Sequence, residues 1–424
     1  MIFVLFGVFL VTLFLGVPIA FCLGLSSLTY VFFTGIPLVI IPQKMYTGID
    51  VFVLLCVPGF ILAGNLMNRG GITDRIVGFS NAVMGPIRGG LGLANVGASM
   101  IFAGISGTAV ADSASIGAVM IPAMVNEGYE TDFSCAVTAS SSTIGPIIPP
   151  SLPMIIAGTL TGLSVAKLFI AGAIPGILLG LGLMSVSYFI SVKRHHPKGE
   201  RHSFADIIEK FKGAFWALLM TVVILVGIVG GIFTPTEASI VAVLYAVFVG
   251  IVIYRELSLK AILEILVETA ITTASLMVLV GLANLFGWIL TSEQIPQLIA
   301  KSMLSLTQNK YVILLLINLL LLFVGTFMET IAALIILFPV LLKVAVSVGV
   351  DPIQFAIIAV LNLMIGLTTP PVGVCLFVTS GIGRISLGKI SRAILPFLAV
   401  SLFVLLLVTY IPQISLFLPN LLIK

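Results

Sequence analysis

Two stretches of this chain are apolar enough to be membrane helices, yet each carries glycine, three residues and then Pro-Pro at its centre: SSSTIGPIIPPS (Ser140 to Ser151) and NLMIGLTTPPVG (Asn362 to Gly373). A proline has no backbone N–H, and its ring clashes with the carbonyl four residues earlier. Pro149 is therefore expected to open the carbonyl of Gly145, Pro150 that of Pro146, Pro146 that of Ser142, and Pro370 that of Gly366. Open carbonyls at membrane depth persist only where they line a polar cavity or are buried in protein. Four hydroxyls, Ser140 to Thr143, stand beside the first break, so a small hard cation is the natural partner. The helix breaks at Pro149, Pro150, Pro370 and Pro371 are the points around which we arrange the rest.

The surrounding sequence belongs in a bilayer. The 424 residues are 60% hydrophobic and 8% charged, with a mean hydropathy of +1.28, which excludes a water-soluble domain. Runs nearly free of charge, such as Phe133 to Ala166, Leu168 to Val192 and Thr269 to Ser292, reach the roughly 20 residues a span requires. The first run, Met1 to Gln43, has no basic leader and no small-residue cleavage site, so it is expected to stay as mature helix. Cys22, Cys56, Cys135 and Cys375 all lie in apolar runs and form neither a disulfide framework nor a metal spacing. The formal net charge of +4 is spread over loops, which gives no nucleic-acid partner.

Two apolar pairs are too short to cross. Tyr311 to Val324 and Ile331 to Leu342 flank GTFMET (Gly325 to Thr330), and the stretch from Gly89 to Asn126 has the same form around GISGTAVAD (Gly104 to Asp112). Both are expected to be hairpins that enter and leave on one side.

An internal repeat connects these parts. Pro18 pairs with Pro235 at an offset of 217, Asn65 with Asn284 at 219, Gly107-Thr108 with Gly325-Thr326 at 218, and Gly145 with Gly366 at 221. Five crossings plus one hairpin per copy is an odd number, so the second copy is inverted. The expected fold is an all-α integral membrane protein of two inverted repeats, each with about five transmembrane helices, one of them broken, plus a re-entrant helical hairpin. The first repeat is 1–192 (hairpin 89–126, broken helix 133–160). A basic cytoplasmic linker with a surface helix, Phe204 to Lys212, follows at 193–213; its expected counterparts are Thr73 to Arg88 and Leu257 to Glu268, moderately charged segments beside a span that would act as lateral arms. The second repeat is 214–424 (hairpin 311–345, broken helix 352–379). Threaded this way, one side holds 14 of the 20 Lys and Arg, which makes it cytoplasmic and puts the N-terminus outside. His195, His196 and His202 are read as part of a solvated linker rather than a metal site.

The motifs LGVPIAFCLG (Leu15 to Gly24), GISGTAVAD, SSTIGPIIPPS, GGIFTPTEAS (Gly230 to Ser239), GTFMET and GLTTPPVG together resemble the large membrane subunit, DctM type, of the tripartite ATP-independent periplasmic (TRAP) transporters, over essentially the whole chain. The resemblance implies an elevator-type secondary transporter of the bacterial inner membrane, driven by Na+. It also implies a soluble periplasmic substrate-binding protein (DctP type) and a small four-helix membrane subunit (DctQ type), here expected as a separate chain. One departure is Glu329, where relatives carry aspartate in the second tip.

The residue chemistry runs the same way. A hairpin tip facing a broken helix offers carbonyls and hydroxyls from two elements, as a Na+ site requires. Site one would use Ser106, Gly107, Thr108, Ser142, Gly145 and Pro149. Site two would use Gly325, Thr326, Gly366, Thr368 and Thr369, giving two or more coupling ions. A carboxylate substrate, such as a C4-dicarboxylate, sialic acid or another sugar acid, would sit between them, with Thr108, Ser151, Glu329 and Thr330 as its contacts. For each hydroxyl the competing reading is ordinary helix packing. Asp112 is an acid inside a hairpin and functional by default, although capping competes. No organic cofactor is implied. A channel would need a continuous polar pore, and an enzyme would need an intramembrane catalytic constellation; neither is visible. A related Na+- or H+-coupled anion carrier working without a binding protein stays open.

Overall fold

The structure is a computed structural model that describes residues 1–199, 203–295, 298, 301, 307 and 309–423, without the side chains of residues 104–106. His202 and the Ser106 side chain fall outside that description. Among the described residues every element is helical apart from one isolated antiparallel bridge, Arg88 to Lys198. Among the described residues seven helices are long and apolar enough to cross a membrane, or up to nine if each of two bent pairs counts as a span.

The first half runs α1 (Ile2–Phe14), α2 (Ile19–Thr34), α3 (Ile40–Ile49), a 3-10 turn (Phe52–Leu55), α4 (Cys56–Arg69), α5 (Ile72–Met84), α6 (Gly90–Ser106), α7 (Ala109–Asn126), α8 (Thr131–Ser142), α9 (Leu152–Thr161) and α10 (Val165–Lys193). The second runs α11 (Phe204–Val229), α12 (Pro235–Phe248), α13 (Leu259–Ser292), α14 (Lys310–Gly325), α15 (Thr330–Ser347), α16 (Pro352–Gly366), α17 (Val374–Gly383), α18 (Leu387–Ala393), α19 (Leu395–Tyr410) and α20 (Gln413–Leu422). The order helix, helix, broken helix occurs twice, as α6–α7–α8/α9 and α14–α15–α16/α17.

Local chemistry sets the helix ends. The TPTE of Thr234 to Glu237 starts α12 with a capping box: the Thr234 hydroxyl accepts the Glu237 N–H at 3.2 Å, Glu237 accepts the Thr234 N–H at 2.8 Å, and Pro235 occupies the first turn, where its missing N–H costs nothing. Ser164 caps α10, whose 29 residues extend about 44 Å, ample for a tilted span.

Two expectations about surface segments are corrected here. Phe204 to Lys212 is not a separate helix; a Ser203–Asp206 capping box starts α11, which continues unbroken to Val229. Leu257 to Glu268, read as a lateral arm, forms the start of the 34-residue α13. In both cases no breaker separates the charged first turns from the apolar remainder, and Gly213 alone costs only about 1 kcal/mol against Ala.

The helices pack as two groups. α2, α3 and α4 pack against α13, α1 packs on α2, and α12 packs on α4. The other group interlocks the two halves: α17 packs on α7 and α8, α9 packs on α15, and α10 packs on α6, α19 and α20. The groups meet where α4 touches α6 and α13 touches α15. The deepest elements are the first halves of the broken helices, buried at every residue from Phe133 to Ser142 in α8 and from Gln354 to Gly366 in α16. Each is crossed by its hairpin through a polar pair: Ser99 donates to Ser141 at 2.8 Å, and Asn362 donates to the Asn318 side chain at 2.7 Å. Such pairs satisfy polar groups that neither lipid nor water can reach.

Candidate cation and substrate site

Each hairpin tip lies against its own break. At the first, α6 ends on Gly107 (φ +63°), and Thr108 caps α7, accepting the Ala111 N–H at 3.4 Å. A Cβ on Gly107 would stand 3.0 Å from the Pro150 carbonyl oxygen, so both the backbone conformation and the close approach require glycine. At the second, α14 ends at Gly325, where a Cβ on Gly366 would lie 2.5 Å from the Gly325 carbonyl carbon. The two backbones cross in direct contact, and the Gly373 N–H donates to the Thr326 carbonyl at 3.4 Å. Gly107 is thus brought to the first break, and Gly325 and Thr326 to Gly366 and Gly373.

The breaks re-pair more backbone than prolines alone would suggest. After α8 ends at Ser142, tight i+3 turns follow, among them Gly145 N–H to the Ser142 carbonyl at 3.2 Å. The Pro146 carbonyl accepts the Ser151 hydroxyl, which also caps α9 by accepting the Met154 N–H at 3.2 Å. The Gly366 carbonyl accepts the Thr369 N–H at 3.0 Å. Of the four carbonyls expected to open, those of Ser142, Pro146 and Gly366 are therefore taken, because 3-10 turns and a serine supply substitutes for the lost α-helical donors. At Gly145 the Ile148 N–H, the donor three residues downstream, goes instead to the Ile144 carbonyl at 3.1 Å.

The decisive neighbour of Gly145 is Asp112. This carboxylate is fully buried on the first turn of α7, and a Cβ on Gly145 would fall 2.1 Å from its Oδ2. Absence of a side chain at Gly145 makes the room that the carboxylate occupies. Sequence reasoning noted Asp112 as an intramembrane acid but left it out of the ligand set. A cation held here would meet a carboxylate as well as neutral oxygens.

The hydroxyls divide by use. Ser142 donates to the Thr138 carbonyl (2.7 Å), Thr326 to Phe323 (2.7 Å), and Thr368 and Thr369 both to Ile365 (2.9 and 2.8 Å). Each is spent as a donor and keeps lone pairs for a cation. Ser140 and Thr330 are buried with hydroxyl oxygens that find no partner among the described residues. Glu329 caps α15, its Oε2 accepting the Ile331 and Ala332 N–H groups at 2.9 and 3.2 Å. Among the described residues no three His, Cys, Asp or Glu side chains are grouped so that they could hold a metal ion. The donor set is carbonyl, hydroxyl and single carboxylate oxygens, which suits a hard ion and not a soft one.

The Alcanivorax borkumensis YdaH transporter has a similar fold: TM-score 0.62 and 17% identity, covering 92% of this chain and 90% of that one. The sialic acid TRAP transporter large permease protein SiaM of Vibrio cholerae is 45% identical over 412 residues, 96% of each chain. The isethionate TRAP transporter permease protein DctMQ of Oleidesulfovibrio alaskensis is 45% identical over 98% of this chain and 66% of its own length. The C4-dicarboxylate large permease DctM of Pseudomonas aeruginosa is 42% identical over 94% and 93%. The model of the tripartite ATP-independent periplasmic transporter, DctM component, matches residues 6–414. These relatives are transporter permeases and not enzymes. The chain is a multi-pass membrane protein and belongs to the DctM family of TRAP large permeases.

Proposed function

We propose that this permease carries an organic acid inward across the bacterial inner membrane by coupling to Na+, with two inverted repeats that move as an elevator. The observation that carries the proposal is the pairing of each hairpin tip with its own helix break, with Asp112 buried against Gly145 at the first. A cation seated between tip and break holds two separate elements together, so its binding favours the assembled site. At the first site the residues positioned to hold Na+ are Asp112, Thr108, Ser142 and the Gly145 carbonyl. At the second they are the hydroxyls of Thr326, Thr368 and Thr369, with Thr330 as a further oxygen.

The substrate would lie between the two tips, with the N-termini of α7 and α9 at the first and those of α15 and α17 at the second. Those ends carry partial positive charge and favour a carboxylate or sulfonate. The named substrates of the relatives, sialic acid, C4-dicarboxylate and isethionate, are all acids of this kind. The group of α1 to α4 with α11 to α13 would be the fixed scaffold, braced by a small four-helix subunit, and the interlocked hairpins and broken helices would move. A periplasmic binding protein would deliver the acid.

The test is uptake of labelled organic acids into proteoliposomes holding both membrane subunits, with each candidate binding protein supplied. An inward Na+ gradient should drive uptake without ATP. Equal uptake with choline in place of Na+ would remove the coupling, and full uptake with no binding protein would point to a carrier that takes substrate from solution.

A further inference from the structure

The segment that follows α10 is built more tightly than a solvated linker. His196 is 2% exposed, its ring packed against those of Tyr129 and Phe133 at 4.6 and 4.7 Å. Its Nε2 meets the Glu130 carboxylate, and its Nδ1 lies 3.0 Å from the Ser191 hydroxyl. Arg194 forms a fork on Asp132, at 3.0 and 3.3 Å, with Glu130 at 3.6 Å. Glu130 stands at the N-cap position of α8 and Asp132 in its first turn, so both contacts grip the start of the first broken helix. The backbone grips the base of the first hairpin. The Gly89 N–H donates to the Pro197 carbonyl at 3.1 Å, the Gly199 N–H to Gly85 at 3.0 Å, and the Leu91 N–H to the Tyr129 hydroxyl at 3.3 Å.

Among the described residues the second unit shows no such arrangement. There the corresponding α15–α16 loop is held by the Lys310 ammonium on the Gly349 carbonyl at 3.0 Å, and α16 reaches α19 through the neutral Gln354 amide on Thr409, also at 3.0 Å.

We propose that residues 191–199 are a strap, with His196 and Arg194 as positioning residues, that fixes the base of the first hairpin to the start of the first broken helix so that the two carry the first cation site as one block. The consequence for the cation rests on the Na+ reading above. Opening the strap lets α6 and α8 drift apart at their far ends, so a smaller fraction of molecules presents an assembled site. Apparent affinity then falls by that fraction, while the rate at saturating Na+ is kept.

Hydrogen–deuterium exchange and Na+-titrated uptake, both on the complex of the two membrane subunits, test the strap. His196→Ala should speed exchange in segments 85–92 and 129–135 and raise the Na+ half-saturation about fivefold, with the maximal rate within about twofold of wild type. His196→Gln, which keeps a donor for Glu130, should restore most of both. Arg194→Gln, at a partly exposed position, should act in the same direction if His196→Ala assembles poorly. Unchanged exchange in either segment overturns the strap. So does an unchanged half-saturation in a variant whose exchange has risen. If wild-type uptake ignores Na+, the coupling reading falls, and exchange alone decides whether the strap holds the two elements.

Discussion

Replacing Gly145 with alanine is the sharpest probe of the first site, because the structure fixes what the added methyl group meets. The new Cβ would lie 2.1 Å from Asp112 Oδ2, where ordinary contact needs about 3.4 Å, so one of the two must shift by about 1.3 Å. Gly145 lies in a tight, fully buried turn, which leaves the carboxylate as the part that moves. If that carboxylate holds Na+ at about 2.4 Å, retreating to about 3.7 Å weakens the Coulomb term from about 6.9 to about 4.5 kcal/mol at an effective dielectric of 20. The difference, about 2.4 kcal/mol, corresponds to roughly 60-fold in affinity, and relaxation or water entry brings the expectation to between about 10- and 60-fold. The assay is the Na+ half-saturation of uptake in proteoliposomes. Asp112→Asn, with no steric change, should weaken Na+ to a similar degree, and adding Gly145→Ala to it should cost much less than the two separate effects combined. A folded, assembled Gly145→Ala protein with the wild-type half-saturation would refute the placement of the cation beside Asp112.

Three further outcomes follow from the same geometry. Pro149→Ala supplies an N–H that can claim the Gly145 carbonyl and should raise the Na+ half-saturation, whereas Pro370→Ala should change it less, because Gly366 already accepts the Thr369 N–H; equal effects in a Na+ titration would contradict this. Gly366→Ala places a methyl group 2.5 Å from backbone at Gly325, with no flexible side chain to yield, and should lower thermal stability by about 1–3 kcal/mol, measured by melting of the purified complex. Glu130 gives a pH dependence: burial raises its carboxyl, but the His196 bond, the backbone bond and the charges of His196 and Arg194 together outweigh that and hold it below the ordinary carboxylate range. A carboxyl lowered in the folded state stabilises above its unfolded value and loses that contribution as pH falls through the folded one. The melting temperature of wild type should therefore fall more steeply below about pH 4.5 than that of Glu130→Gln, and only modestly, since the side chain is 48% exposed.

How far the sequence led can be seen at single residues. The runs without charge and the Pro-Pro breaks were legible because each is a local rule, bilayer thickness or a missing N–H, whereas two of the arms expected to be too short to cross, α7 and α15, run to 18 residues and are long and apolar enough for a span. The contacts of the 191–199 segment were not legible, because a histidine among lysines and arginines looks the same whether solvated or, like His196, folded against Tyr129 and Phe133. The beginning of α11 reads as a surface helix and that of α13 as a lateral arm because charged first turns at an interface have the same amphipathic pattern whether the helix stops or continues inward. Asp112 meeting Gly145 is a contact across 33 positions, and no periodicity connects an acid on one helix with a missing side chain on another.

The offset between the two halves carries a last consequence. It is 218 from Gly107 to Gly325 but 221 from Gly145 to Gly366, and the helix ends locate the change. The descending arms begin after the caps Thr108 and Glu329, also 221 apart, so the added residues lie within the second tip, between Gly325 and Glu329. By its place at the helix start, Thr108 therefore corresponds to Glu329 and not to Thr326. On the same offset Asp112 corresponds to Ala333, so the buried carboxylate has no counterpart in the second unit. The first site would offer a cation a carboxyl side chain, while the second would offer carbonyls, hydroxyls and a longer tip, with Glu329 committed to capping α15. Two sites of the same plan but different charge should bind with different affinity, the first more tightly. Asp112→Asn should then remove the high-affinity component of a Na+ binding isotherm and leave the weaker one in place. A single component lost in equal measure by Asp112→Asn and by Thr368→Val would mean that the two ions are held alike.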